Sequence, residues 1–159
     1  MSGLLQGLRT INLVSAGIQT GGQIFCLMAV IPAMRRWPLD MSVRVHQDAL
    51  TYRPENYLRP AAIIEIVTAV AILFLHHRSP TASTGLTALG LAGQLANGFI
   101  SARWEWPINT EVNSWGDDPV AEKYPQMRES WDTKHVMRTA ASVFALTCFA
   151  LAAVKDNRD

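Results

Sequence analysis

Trp131, Asp132, His135 and Arg138 fall within eight consecutive residues, directly ahead of a long apolar run. In a helix, His135 lies about one turn beyond both Trp131 and Asp132, and Arg138 nearly one turn beyond His135. An imidazole titrates near neutral pH and serves as a proton acceptor or a metal ligand. A guanidinium holds an oxyanion, and a carboxylate beside the imidazole orients it. Ionisable groups at the edge of a segment that can cross a bilayer are expensive, so their presence there points to chemistry.

Other residues extend this set. Asn109 and Asn113 are four apart and share a face if the stretch after Trp104-Glu105-Trp106-Pro107 is helical. Their amides then offer hydrogen bonds to a polar ligand or to Arg138, although capping and turn chemistry is the plainer role of asparagine. His46, Glu65 and His135, with Asp48 or Asp132, would make a ligand set for copper or iron. No compact ligand motif such as H-E-x-x-H supports it, so a metal-free site is preferred. Cys26 and Cys148 both sit inside apolar runs and read as small core residues rather than a disulfide or metal pair.

Four apolar runs must position these groups, over residues 10–34, 60–76, 82–101 and 134–154. A helix needs roughly 20 residues to cross the hydrocarbon core, and helices satisfy their own backbone there. The run at 60–76 carries one charge, Glu65, and that at 82–101 carries none. Core helices of a water-soluble bundle would show a charged face. The first run is too long for a signal peptide, and Arg35-Arg36 stands where a small-residue cleavage site would be. Only 17% of residues are charged, against about 25% in average soluble chains. The net charge of +1, with no basic stripe, excludes a nucleic-acid partner.

The expected fold is therefore all-α: one integral membrane four-helix bundle spanning residues 1–159. Both termini and the Ser79-Pro80 turn fall on one side. Two long connections, Arg35 to Arg59 and Ala102 to Lys134, fall on the other. They hold all five tryptophans and all three tyrosines, which predicts a tryptophan-rich cap. They also hold nine of the 14 basic residues, which places them in the cytoplasm by the positive-inside rule.

Polar residues dot the runs: Gln19 and Gln23 around Gly21-Gly22, Glu65, and Gln94 with Asn97. Glu65, Asn97, His135 and Arg138 are expected in the half nearest the long connections, with Gln23 and Gln94 near mid-depth. Glu65 and Arg138 are the expected ion pair. The arrangement predicts a polar pocket beneath the cap; the alternative is that these groups only join helices.

Pro107-Ile108-Asn109, then Asn113, then Trp131, His135 and Arg138-Thr139 before an apolar span, resembles the DUF1772 or anthrone oxygenase-like family of small four-helix membrane proteins. Gly21-Gly22 and Arg59-Pro60 are similar to it too. The resemblance implies Asn109, Asn113, Trp131, His135 and Arg138 as site residues. It also implies oxidation of a polyketide anthrone by dioxygen, without an obvious bound cofactor.

On that basis the expected activity is a monooxygenase acting on a hydrophobic aromatic molecule. His135 removes a benzylic proton and Asp132 orients it. Arg138, with Asn109 or Asn113, holds the oxyanion. Trp104, Trp106 and Trp131 wall a flat pocket to which Glu65 and Asn97 also belong. The competing reading is a binding or assembly subunit whose polar cluster only packs helices; a transporter is the weaker third, since no broken repeat is visible. Small-residue faces in the first and third runs allow self-association.

Overall fold

A computed structural model describes residues 3–52, 56–77, 81–116 and 122–156. Among them every regular element is helical. Helix α1 (Gly3–Phe25) passes through a π turn (Cys26–Val30) into α2 (Ile31–Met34). Helix α3 (Leu39–Val45) runs into a second π segment (His46–Tyr52). Then come α4 (Leu58–Leu75) and α5 (Ala82–Ile100), the latter continuing through a third π turn (Ser101–Glu105) into α6 (Trp106–Ser114). Helix α7 (Tyr124–Asp156) closes the order. The expected turn at Ser79-Pro80 lies outside the described residues.

Two helices begin well before their apolar runs. Helix α1 starts at Gly3 because Arg9 is absorbed inside: it donates to Ser83 Oγ at 2.6 Å and to Thr87 Oγ1 at 3.4 Å. Helix α7 starts at Tyr124, with Pro125 in the first turn, where a missing N–H costs no hydrogen bond. Its 33 residues span ~50 Å, more than a hydrocarbon core of ~30 Å. The surplus turns carry Tyr124 and Trp131 outside the apolar section.

Three segments are long and apolar enough to cross a membrane: Gly3–Met34, Leu58–Leu75 and Tyr124–Lys155. Helix α5 is not among them. Its 19 residues suffice in length, but Ser83, Thr84, Thr87, Gln94 and Asn97 dilute its apolarity.

The helices are inside-out relative to a water-soluble bundle. On α1, Ile11, Val14, Ile18 and Phe25 are exposed, while Arg9, Asn12, Gln19 and Gln23 are buried. On α4, Ile63, Val67, Val70 and Phe74 face outward, and Glu65 and Thr68 face inward. Apolar side chains around a polar interior suit a hydrocarbon surround, where interior polar groups must pair with one another. They do so from end to end. Asn12 Nδ2 donates to Glu65 O at 2.8 Å, Thr20 and Ser142 hydroxyls meet at 2.7 Å, and Ser83 Oγ donates to Ala152 O at 3.0 Å. The polar side chains are thus not confined to the end near the long connections, contrary to the sequence expectation. Serines and threonines extend the network.

Helix α1 packs on α4 and α7, and α5 packs on α7 and less closely on α4. The α5–α7 contact depends on glycine. A Cβ on Gly90 would lie 2.6 Å from the Phe149 ring, and one on Gly93 would lie 3.1 Å from Ala141 O. Trp115, Tyr124, His46 and Trp131 follow one another in edge-on ring contacts. Trp37 and Trp115 pack around Met34, Val43, Val112 and Tyr124, while Trp131 packs with Cys26 and Ile31. Trp104 meets Phe99 edge-on, with Lys134 over its face.

Substituting Gly90→Val should lower stability by about 2 kcal/mol through overpacking against Phe149. Gly85→Ala, where an added Cβ meets nothing within 4 Å, should be neutral or slightly stabilising. Reversible unfolding in detergent micelles checks both. Equal effects at the two glycines would contradict the close α5–α7 approach.

Candidate functional site

The site is built where the third π turn meets α7. Gln94, Asn97, Ser101 and Glu105 follow one another at spacings of three, four and four, so a helix that continues past Ile100 sets them in one row. That row faces Trp131, His135 and Arg138 on α7, spaced four and three. Glu105 is fully buried between them. Its Oε2 accepts from Arg138 Nη1, and its Oε1 lies 3.3 Å from His135 Nδ1, an ion-pair distance reached too obliquely for a full hydrogen bond. Burial alone would raise the Glu105 carboxyl. Contact with His135 and the positive charge of Arg138 outweigh burial and hold it below the usual carboxylate range.

The other His135 nitrogen, Nε2, lies 3.1 Å from Gln23 O. A carbonyl only accepts, so Nε2 carries a hydrogen. The ring also stacks on Trp131, centroids 4.8 Å apart. His135 is held on three sides.

Arg138 orients a chain of amides. Its Nε–H can only donate, so the atom facing it at 3.3 Å is Asn97 Oδ1. Asn97 Nδ2 then donates to Gln94 Oε1 at 3.1 Å, and Gln94 Nε2 donates to Gln19 Oε1 at 2.7 Å. Gln23 Nε2 shares Asn97 Oδ1 at 3.4 Å.

A second network supports Trp131 from outside. Trp131 Nε1 donates to Asn109 Oδ1 at 2.9 Å, and His46 Nε2 lies 3.0 Å from the same oxygen. His46 Nδ1 lies 3.2 Å from Tyr124 Oη. Burial lowers the His46 pKa, against the opposing effect of the Asn109 hydrogen bond. A neutral ring with hydrogen on Nε2 donates to Asn109 Oδ1, and its Nδ1 shares the single Tyr124 hydroxyl hydrogen with Ser42 O, at 3.2 Å each.

Two cavities adjoin the cluster. The larger, about 670 Å³, is walled by the amide chain (Gln19, Gln94, Asn97), by Arg138, Asn109 and Trp106, and by apolar residues including Leu58, Ile66, Leu95 and Phe99. The smaller, about 160 Å³, is walled by Gln23, Cys26, Trp131, His135 and Arg138 with Phe25, Val30, Leu50 and Leu58. The larger is of the size that holds small organic ligands. All three π segments contribute walls to one cavity or the other, and such turns recur at functional sites.

Several sequence expectations need correction. Asp132 does not orient His135; its Oδ2 pairs with Arg35 at 2.8 Å. Arg138 pairs with Glu105 rather than Glu65. Glu65 Oε2 is buried with no hydrogen-bond partner among the described residues, and Glu65 walls neither cavity. Trp104 and Asn113 also wall neither. His46, Glu65 and His135 are not assembled into a ligand set: among the described residues no three His, Cys, Asp or Glu side chains come together in that way. Glu105 was missed because the third apolar run ends at Ser101. Continuing the Gln94–Asn97 face two further turns would have found it.

No known family model, curated protein or solved structure matches this chain.

Glu105 has its carboxyl held below the ordinary range, so the stability it supplies is present above the unfolded value of about 4.3 and is lost as pH falls through the folded one. Glu105→Gln should destabilise the protein by about 3 kcal/mol at pH 7, because Arg138 loses its counter-charge. The gap between wild type and variant should narrow as pH drops below about 4.3. Unfolding free energies measured from pH 7 downward test this, and a gap independent of pH would contradict it.

Proposed function

We propose that this chain is a multi-pass membrane oxygenase that binds a hydrophobic aromatic molecule in the larger cavity and oxidises it with dioxygen. The observation that carries the reading is the 670 Å³ cavity reaching Arg138. A subunit whose polar groups served only to pack helices would have this space filled. The cavity is apolar along Ile66, Leu95 and Phe99 and polar at Arg138 and Asn109, which suits a flat molecule with an oxygen at one edge.

In this reading α1, α4, α5 and α7 each cross the bilayer. Helix α5, the least apolar, is admitted because its polar face turns inward. The connections carrying His46 and Asn109 lie on the cytoplasmic side. The DUF1772 or anthrone oxygenase-like resemblance of the Asn109, Trp131, His135 and Arg138 pattern points to an anthrone-like polyketide as substrate.

Arg138, fixed by Glu105 and Asn97, stabilises the anion that forms when the ring methylene loses a proton. The protein spends no reorganisation at that moment, because the guanidinium is already bound in place. His135 is the base; it walls only the smaller cavity, so the substrate's methylene sits at the border beside Arg138, which walls both. To take the proton at Nε2 the ring must leave Gln23 O and carry its own hydrogen on Nδ1, facing the charged Glu105. Asn109 and Trp106 hold the substrate from the cap side.

Protein reconstituted in nanodiscs should convert 1,8-dihydroxyanthrone to the anthraquinone, with matching oxygen uptake, well above the spontaneous rate. Arg138→Ala should lower kcat/KM by roughly 10²-fold. Thr147→Ala, on the exposed face of α7, should leave it unchanged. Oxidation at the spontaneous rate only, or an Arg138→Ala protein as active as wild type, would overturn the proposal.

A further inference from the structure

The smaller cavity has no role in holding a three-ring substrate. At about 160 Å³ it is too small for one. It matches in size the engineered apolar cavities of about 150 Å³ that admit benzene or xenon. Phe25, Val30, Ala49, Leu50 and Leu58 give it mainly apolar walls. Its walls include Phe25, 64% exposed on the outer apolar surface of α1, and Tyr57, 51% exposed just ahead of α4. Its inner end is polar, at His135, Arg138 and Gln23. Gln23 Oε1 is buried there without a hydrogen-bond partner among the described residues. Leu50, Leu58 and Arg138 wall both cavities and so form the partition between them.

We infer that the smaller cavity is a dioxygen site, filled from the surrounding hydrocarbon and separated by this partition from the aromatic-binding cavity. The inference rests on the oxygenase reading for its choice of ligand, and on the cavity itself for the existence of a site. Dioxygen dissolves better in hydrocarbon than in water, so an entrance between Phe25 and Tyr57 draws on the richer source. Arg138 faces both compartments and meets negative charge from either.

The chemistry places the charges accordingly. The substrate anion passes one electron to dioxygen, giving a carbon radical and superoxide, the latter beside Arg138. Superoxide passes Arg138 into the larger cavity, where the two combine and form the C–O bond. The peroxide anion takes up the proton first removed from the methylene. Loss of the second methylene hydrogen as a proton breaks the O–O bond. Hydroxide leaves and takes that proton as water. The methylene carbon is oxidised by four electrons to a ketone, and dioxygen is reduced by four, one oxygen entering the ketone and one the water.

Xenon is the direct probe, and the test uses the full chain. Crystals pressurised with xenon should show it in the smaller cavity, and two independent plugs, Val30→Phe and Ala49→Phe, should each abolish it. In turnover of 1,8-dihydroxyanthrone, either plug should raise the KM for dioxygen roughly tenfold and leave the KM for the anthrone unchanged. Xenon confined to the larger cavity, or absent, overturns the inference even if the enzyme turns over. A plug that raises the KM for the anthrone instead also overturns it. Xenon in the smaller cavity of a protein without turnover confirms the gas-sized site and sinks the oxygenase reading alone.

Discussion

Glu105 is a fully buried anion, and the rest of the site follows from that. A buried carboxylate without a counter-charge costs several kcal/mol, so it must be met by cations or give up its charge. Arg138 meets it with a positive charge and His135 with its ring, both from helix α7, while Glu105 itself comes from the far end of the α5 extension. His135 then reaches Gln23 on α1. Three separate segments are tied together by one charged group. A buried ion pair is weak evidence of stability, but it is demanding about geometry. Arg138 only donates, which fixes Asn97, then Gln94, then Gln19 in turn.

The surrounding helices make this demand affordable. Their outward faces are apolar and their inward faces polar, so buried hydroxyls and amides bond one another or a backbone carbonyl. Packing density is uneven in a useful way. Glycines draw α5 tightly onto α7, while α5 and α4 stay further apart. The larger cavity opens along that looser pair, with Ala62 and Ile66 on one wall and Leu95 and Phe99 on the other. Rigid cluster and open space therefore share a border at Arg138.

Much of this was legible in the chain, and the remainder was hidden for identifiable reasons. Apolar runs are a local property, so the central parts of all four long helices could be read directly. Their ends could not: Arg9 and the Tyr124–Lys134 turns are polar, and they belong to helices because of partners distant in sequence, such as Ser83 for Arg9. His135 and Arg138 were legible because a helix fixes what lies one turn apart. Asp132 has the same local claim on His135, yet Arg35, nearly a hundred residues away in sequence, takes its carboxylate. Glu105 was obscured by the charged and aromatic residues around it, Arg103, Trp104 and Trp106, which look like a helix end. The π turn carries the helix through them.

The measurement that bears most directly on the central ion cluster is a double-mutant cycle between Glu105 and Arg138. Unfolding free energies of Glu105→Gln, Arg138→Gln and the combined variant give the coupling. The account predicts a combined loss smaller than the sum of the single losses by about 2 kcal/mol, because removing both charges leaves neither stranded. Single losses that simply add would contradict it.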